Sequence, residues 1–140
     1  MGLVLDSGVL IAAERDARPV SELLATLEHA HGETEIVLSS ITVIELEHGL
    51  HRAQTTEQAR KRRDYLETVF AAIPVEPFTR AMAQRAAKID AEARQLGRTI
   101  PLADLLIGAT ALHFGYAVGT RNLRHFQMVP NLAVTQITQI

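Results

Sequence analysis

Three acidic residues stand where acids are costly. Gly2-Leu3-Val4-Leu5 reads as a short buried strand, and Asp6 follows it directly. Glu45 lies inside the apolar stretch Ile41-Thr42-Val43-Ile44-Glu45-Leu46. Asp104 follows Ile100-Pro101-Leu102-Ala103 and opens an apolar helical run from Leu105 to Leu112. A carboxylate beside a core element costs free energy unless something pairs with it. One cation shared by all three would do so. Hard divalent ions take oxygen ligands, and such sites carry out phosphoryl chemistry. Without the ion, clustered carboxylates repel one another and rise in pKa.

Each acid also has a plainer reading. Thr42-x-x-Glu45 matches a capping box, which would make Glu45 a helix-end group. Asp104 in a first helical turn suits the helix dipole, and Asp6 could cap the helix after its strand. Thr120 and Asn122 could simply make a turn. Arg121 and Arg124 read equally as phosphate contacts or as a solvated loop. The run Arg60-Lys61-Arg62-Arg63 splays around a helix and reads as a solvated face or a partner contact. A rival chemistry rests on Glu28-x-x-His31 and Glu45-x-x-His48, which match the Glu-x-x-His element of di-iron helix bundles. It would make the chain an oxidoreductase, but it needs four long helices and two more inward glutamates.

The elements that must position these residues alternate. Strands are expected at 3–5, 35–38, 116–119 and 132–134, with a short extended piece at 73–75 whose proline suits a sheet edge. Helices are expected at 7–13, from the Pro19 turn to about 30, and at 41–53, 56–72, 79–96 and 102–114. Gly32, Gly97 and Gly115 stop three of them. The pattern predicts a single α/β domain over residues 1–140, with a mainly parallel central sheet of about four or five short strands flanked by helices in three layers. In such sheets ligands sit beyond the carboxyl ends of the strands. Asp6 and Asn122 both follow a strand there, while Asp104 and Glu45 lie near helix starts, so all four can face one crevice.

Bulk properties narrow the class. The chain has 140 residues, net charge −2 and no cysteine. Disulfides, thiolate metal sites and cysteine nucleophiles are excluded. No apolar run reaches membrane-spanning length and no secretory signal opens the chain, so a cytoplasmic protein with no membrane partner is expected. Any nucleic acid must be held by local patches, since the chain is not a polycation. With aromatics at 4% and no tryptophan, a base-stacking platform is disfavoured. Twelve of the fourteen basic residues are arginine, the better partner for phosphate.

Four motifs in order carry a family resemblance. They are Leu3-Val4-Leu5-Asp6-Ser7, Ser40-Ile41-Thr42-Val43-Ile44-Glu45-Leu46, Ile100-Pro101-Leu102-Ala103-Asp104-Leu105-Leu106-Ile107-Gly108-Ala109, and Gly119-Thr120-Arg121-Asn122-Leu123-Arg124-His125-Phe126. Each alone is weak, but the ordered set covers nearly the whole chain. It resembles PIN-domain ribonucleases, most closely the VapC toxins of prokaryotic type II toxin–antitoxin pairs. The resemblance implies a PIN-like fold and a Mg²⁺- or Mn²⁺-dependent endoribonuclease. Asp6 and Asp104 would be its main metal ligands and Glu45 would complete the acidic pocket. Ser7, Thr120 and Asn122 would support the site, and Arg121 and Arg124 flank it toward the RNA phosphates. It further implies a cognate antitoxin seated on an apolar groove near the first helices, and a homodimer. The amphipathic segments 23–27 and 65–69 are candidate surfaces. Many members carry an acid at one of the positions held here by Asn122 and His125, so the chain departs from the commonest pattern there. His125 could instead donate a proton to the leaving oxygen. An RNA-binding module with little catalysis, or an RNA-processing nuclease without an antitoxin, fits the same residues.

Overall fold

A computed structural model describes residues 1–138. Five parallel strands form the sheet: β1 (Gly2–Leu5), β2 (Glu35–Ser39), β3 (Val75–Glu76), β4 (Ala117–Thr120) and β5 (Val134–Gln136), in the order β3-β2-β1-β4-β5. Strand β1 lies at the centre, paired Leu3 to Ile36 on one side and Leu3 to Ala117 on the other. All four of its residues are buried, as a strand covered on both faces requires. Strand β3 is an edge, as Pro74 suggests.

The helices are α1 (Ser7–Arg15), α2 (Val20–His31), α3 (Ser40–His51), α4 (Thr56–Ala72), α5 (Arg80–Gln95), α6 (Leu102–Phe114) and α7 (Leu123–Phe126). Side-chain caps set the starts of α3, α4 and α5, whereas Pro19 and Pro101 precede α2 and α6 without one. Ser39 accepts from the Ile41 amide, Thr55 from Gln58 and Thr79 from Met82, each satisfying an amide left without a partner inside the helix. Gly32 at φ 73 and Gly115 at φ 69 end α2 and α6 in backbone conformations that side chains with a Cβ resist.

Alternation along the strands splits the core. Leu5 and Leu38 pack with Val9, Leu23, Leu27, Leu46, Leu66 and Val69, from helices α1 to α4. Their sequence neighbours Val4 and Val37 point to the opposite face and meet Ile107, Ala111 and Phe126, from α6 and α7. A third cluster joins α5 to α6 through Ala86, Ile89, Ala93, Leu105 and Ala109. The result is the expected three-layer α/β arrangement. A five-stranded sheet occupies the place that the di-iron reading needs for long helices, and His48 is exposed.

Several expectations need correction. Helix α3 is capped by Ser39, not Thr42. Thr42 sits inside the helix with its Oγ1 buried and unpartnered, so the capping-box reading of Glu45 fails. Strand β5 begins at Val134, two residues later than expected, and α7 was not anticipated. Leu23, Leu27 and Val69 are core residues at 0–1% exposure, so segments 23–27 and 65–69 do not present them to a partner. Ala25, Glu67 and Thr68 are exposed, with half-buried Leu24 and Tyr65 beside them.

Candidate active site

Asp6 ends β1 and caps α1 at once. Its backbone N–H donates to Gly119 O at 2.9 Å, so the central strand pair fixes its position. Its Oδ1 accepts from the Ser7 amide at 2.9 Å and its Oδ2 from the Thr120 hydroxyl at 3.0 Å. The capping reading of Asp6 is therefore true. Burial pushes the Asp6 pKa up from its ordinary value; the Thr120 hydrogen bond pulls it back, and the charge of Asp104 raises it again.

Glu45 lies in the second turn of α3, half-buried. Its Oε1 is buried with no hydrogen-bond partner. Burial again raises its pKa, the Ser7 hydroxyl offsets part of that, and the charges of Asp6 and Asp104 add to it. These mutual influences mean that three acids, far apart in the chain, sense one another in the fold. Helix contacts of α1 with α3 and of α3 with α6 bring them together.

Asp104 occupies the first turn of α6, its side chain 17% exposed, and its Oδ2 meets His125 Nδ1 at 2.8 Å. Thr120 is fully buried; while donating to Asp6 it accepts from the Asn122 amide at 3.0 Å. Asn122 spends its Oδ1 on capping α7 through the Arg124 amide at 3.3 Å, so it serves the turn first. Ser7 is buried beside Asp6, and Arg121 and Arg124 are exposed. The fold thus brings Asp6, Ser7, Glu45, Asp104 and Thr120 to one place, with Asn122 and the two arginines at its margin. The Asp104–His125 contact was missed. Helix α7, which creates it, is a single turn and too short to leave a periodic signal.

Among the described residues, no group of three or more His, Asp or Glu side chains is close enough together to hold a metal ion as it stands. The donor chemistry nevertheless fits a hard divalent ion. All three groups are carboxylates, two have raised pKa values, and one carries a buried oxygen that nothing satisfies. By donor chemistry, Asp6, Glu45 and Asp104 are the candidates for such an ion.

The PIN domain family model matches residues 3–131, and the chain belongs to the PIN-domain family. Within it, the relatives are VapC ribonuclease toxins. The chain is 28% identical over 138 residues to Ribonuclease VapC1 of Rickettsia felis, covering 99% of this chain and 98% of that one. It is 33% identical over 130 residues to VapC ribonuclease Y4jK of Sinorhizobium fredii, covering 89% and 90%. The fold matches the crystal structure of VapBC2 from Rickettsia felis bound to a DNA fragment from their promoter. That match has a TM-score of 0.85 at 22% identity and covers 99% of this chain and 100% of the other.

Proposed function

We propose that the chain is a Mg²⁺- or Mn²⁺-dependent endoribonuclease and the toxin of a type II toxin–antitoxin pair, acting as a single domain in the cytoplasm. The observation that carries this reading is the convergence of Asp6, Glu45 and Asp104 beside the carboxyl end of the central strand, with Glu45 Oε1 left unsatisfied.

Asp6 and Asp104 would hold the ion, with Glu45 completing the pocket. A bound divalent ion supplies Lewis acidity, neutralising charge on the phosphate and activating water. The remaining work falls to the side chains. The Ser7 amide and the Thr120 hydroxyl keep the Asp6 carboxylate from rotating. Glu45 accepts a hydrogen bond from the attacking water and takes up its proton, a role that a raised carboxylate pKa suits. Oxygen–phosphorus bond formation is matched by cleavage of the phosphorus–oxygen bond to the leaving nucleoside, whose oxygen takes a proton from solvent water. Arg121 and Arg124, exposed beside the site, grip flanking phosphates and place the strand without reading its bases.

For the partner, an apolar groove of about 370 Å³ between α2 and α4 is lined by Pro19, Val20, Leu24, Tyr65, Thr68 and Ala72. It lies where the family resemblance expects the antitoxin. The homodimer stands on that resemblance alone. Among the described residues no helix is long and apolar enough to cross a membrane.

The test is cleavage of total cellular RNA by the purified chain, followed by sequencing of the new ends. Cutting that EDTA abolishes and Mn²⁺ restores supports the nuclease. Binding without cutting, whatever the metal, would establish the RNA-binding module instead. Growth arrest on expression, relieved by the product of an adjacent small gene, separates a toxin from a processing nuclease.

A further inference from the structure

We propose that His125 is a positioning residue for Asp104, holding one carboxylate oxygen so that the rest of the group stays aimed at the divalent ion. The proposal rests on the metal reading above and extends it to a residue that the motifs left without a role in the fold.

The geometry supports a donor role. His125 Nδ1 lies 2.8 Å from Asp104 Oδ2. An ionised carboxylate has only lone pairs to offer, so the shared hydrogen belongs to Nδ1. In a neutral ring, that choice leaves Nε2 as the free nitrogen. Nδ1 is then unavailable as a metal ligand, and Oδ2 loses one lone pair to the ring.

The ring is itself held. Phe126, its neighbour, is buried at 1% exposure and pins α7 to the core. Asn122 caps the same turn. Thr120, at the start of this segment, grips Asp6 Oδ2. One short stretch of chain therefore restrains both aspartates, Thr120 by a hydroxyl and His125 by a ring N–H. Groups that hydrogen-bond to ligating side chains commonly govern metal affinity by about 10–100-fold. The His125 side chain is 39% exposed, so its loss leaves the core intact.

The experiment titrates Mn²⁺ by calorimetry into the purified full chain, comparing wild type with His125→Ala, His125→Asn and Asp104→Asn, each checked for an unchanged circular dichroism melt. Asparagine places an N–H where histidine has Nδ1. The expected result is Mn²⁺ affinity about 10-fold weaker or more in His125→Ala and restored to within about threefold in His125→Asn. Unchanged affinity in His125→Ala overturns the proposal. So does an Asn variant as weak as the Ala variant, which would make the ring itself the ligand. Asp104→Asn isolates the underlying reading, because unaltered Mn²⁺ binding in that variant sinks the metal assignment, not merely the part played by His125. A metal-free readout comes from side-chain ¹⁵N resonances. The wild type is expected to show Nδ1 as the protonated nitrogen of His125, and a dominant Nε2–H form contradicts the proposal.

Discussion

The hydroxyl of Thr120, last residue of β4, donates to Asp6 Oδ2 at 3.0 Å, while Asp6 N donates back across the strand pair to Gly119 O at 2.9 Å. Backbone and side chain thus fasten the same aspartate to the same strand. Thr120→Val keeps the volume and removes the hydroxyl. It leaves the Asn122 amide without its acceptor and Asp6 without a compensating donor. A buried group deprived of its partner costs about 1–3 kcal/mol, so urea unfolding should show a loss in that range. An unchanged midpoint would mean that the pair contributes nothing.

Asp6→Asn and Asp104→Asn should abolish RNA cleavage while preserving the fold. Asparagine still caps α1, because its Oδ1 can accept from the Ser7 amide. Losing a charged ligand from a phosphoryl-transfer site removes several kcal/mol of transition-state stabilisation, so rates should fall by about 100-fold or more. Wild-type cleavage rates in either variant would remove it from the site.

The contribution of Asp6 and Glu45 to metal-free stability should fall as pH rises above about 4. Asp6 and Glu45 both have folded pKa values raised above their ordinary 3.8 and 4.5. Between each ordinary value and its raised one, the folded state binds more protons than the unfolded state, so rising pH favours unfolding. The contribution is fully present below 3.8 for Asp6 and below 4.5 for Glu45, and is lost as pH climbs through the raised values. Chemical denaturation from pH 4 to 7 in EDTA should therefore show Asp6→Asn and Glu45→Gln declining less than wild type. A steeper decline in the variants would reverse the assigned direction. Mn²⁺ should recover the lost stability, by about 2.7 kcal/mol at a hundredfold excess over its Kd.

Asn122 should tolerate aspartate and resist alanine. Its Oδ1 caps α7. Alanine forfeits the cap, at a cost of about 0.5–2 kcal/mol, and loosens the turn that carries His125. Aspartate caps equally well and adds a negative charge near the acids, so Mn²⁺ affinity should rise. Calorimetry showing weaker binding in Asn122→Asp than in wild type would contradict this placement of the side chain.

Leu23→Ala should destabilise the chain without a specific effect on association. The residue is fully buried against the α1–α4 core, and such truncations cost about 2–5 kcal/mol. A variant of native stability that sediments as a smaller species would return Leu23 to an interface.

Much of this was legible in the residues because local rules agree with the fold. Helices α4 and α6 fall at their expected bounds, since charged periodicity and Thr55 define one and Gly115 ends the other. Strand β1 could be read because both its faces are covered, which demands continuous apolar residues. The acids were visible as anomalies against that background. What escaped notice was tertiary. The residues offer Ser39 and Ser40 as caps of α3 beside the capping box at Thr42, and the end of β2 at Ser39 selects the first. Leu23 and Leu27 look alike as core or interface until α4 is seen packed over them. The His125–Asp104 pair spans 21 residues and depends on a turn that no pattern announces.

The bond between Thr120 and Asp6 joins positions 114 residues apart. During synthesis the amino-terminal half emerges carrying Asp6 and Glu45, but the strand that docks against β1 and steadies Asp6 is made near the end. Asp6 is therefore without its Thr120 anchor until β4 has been made.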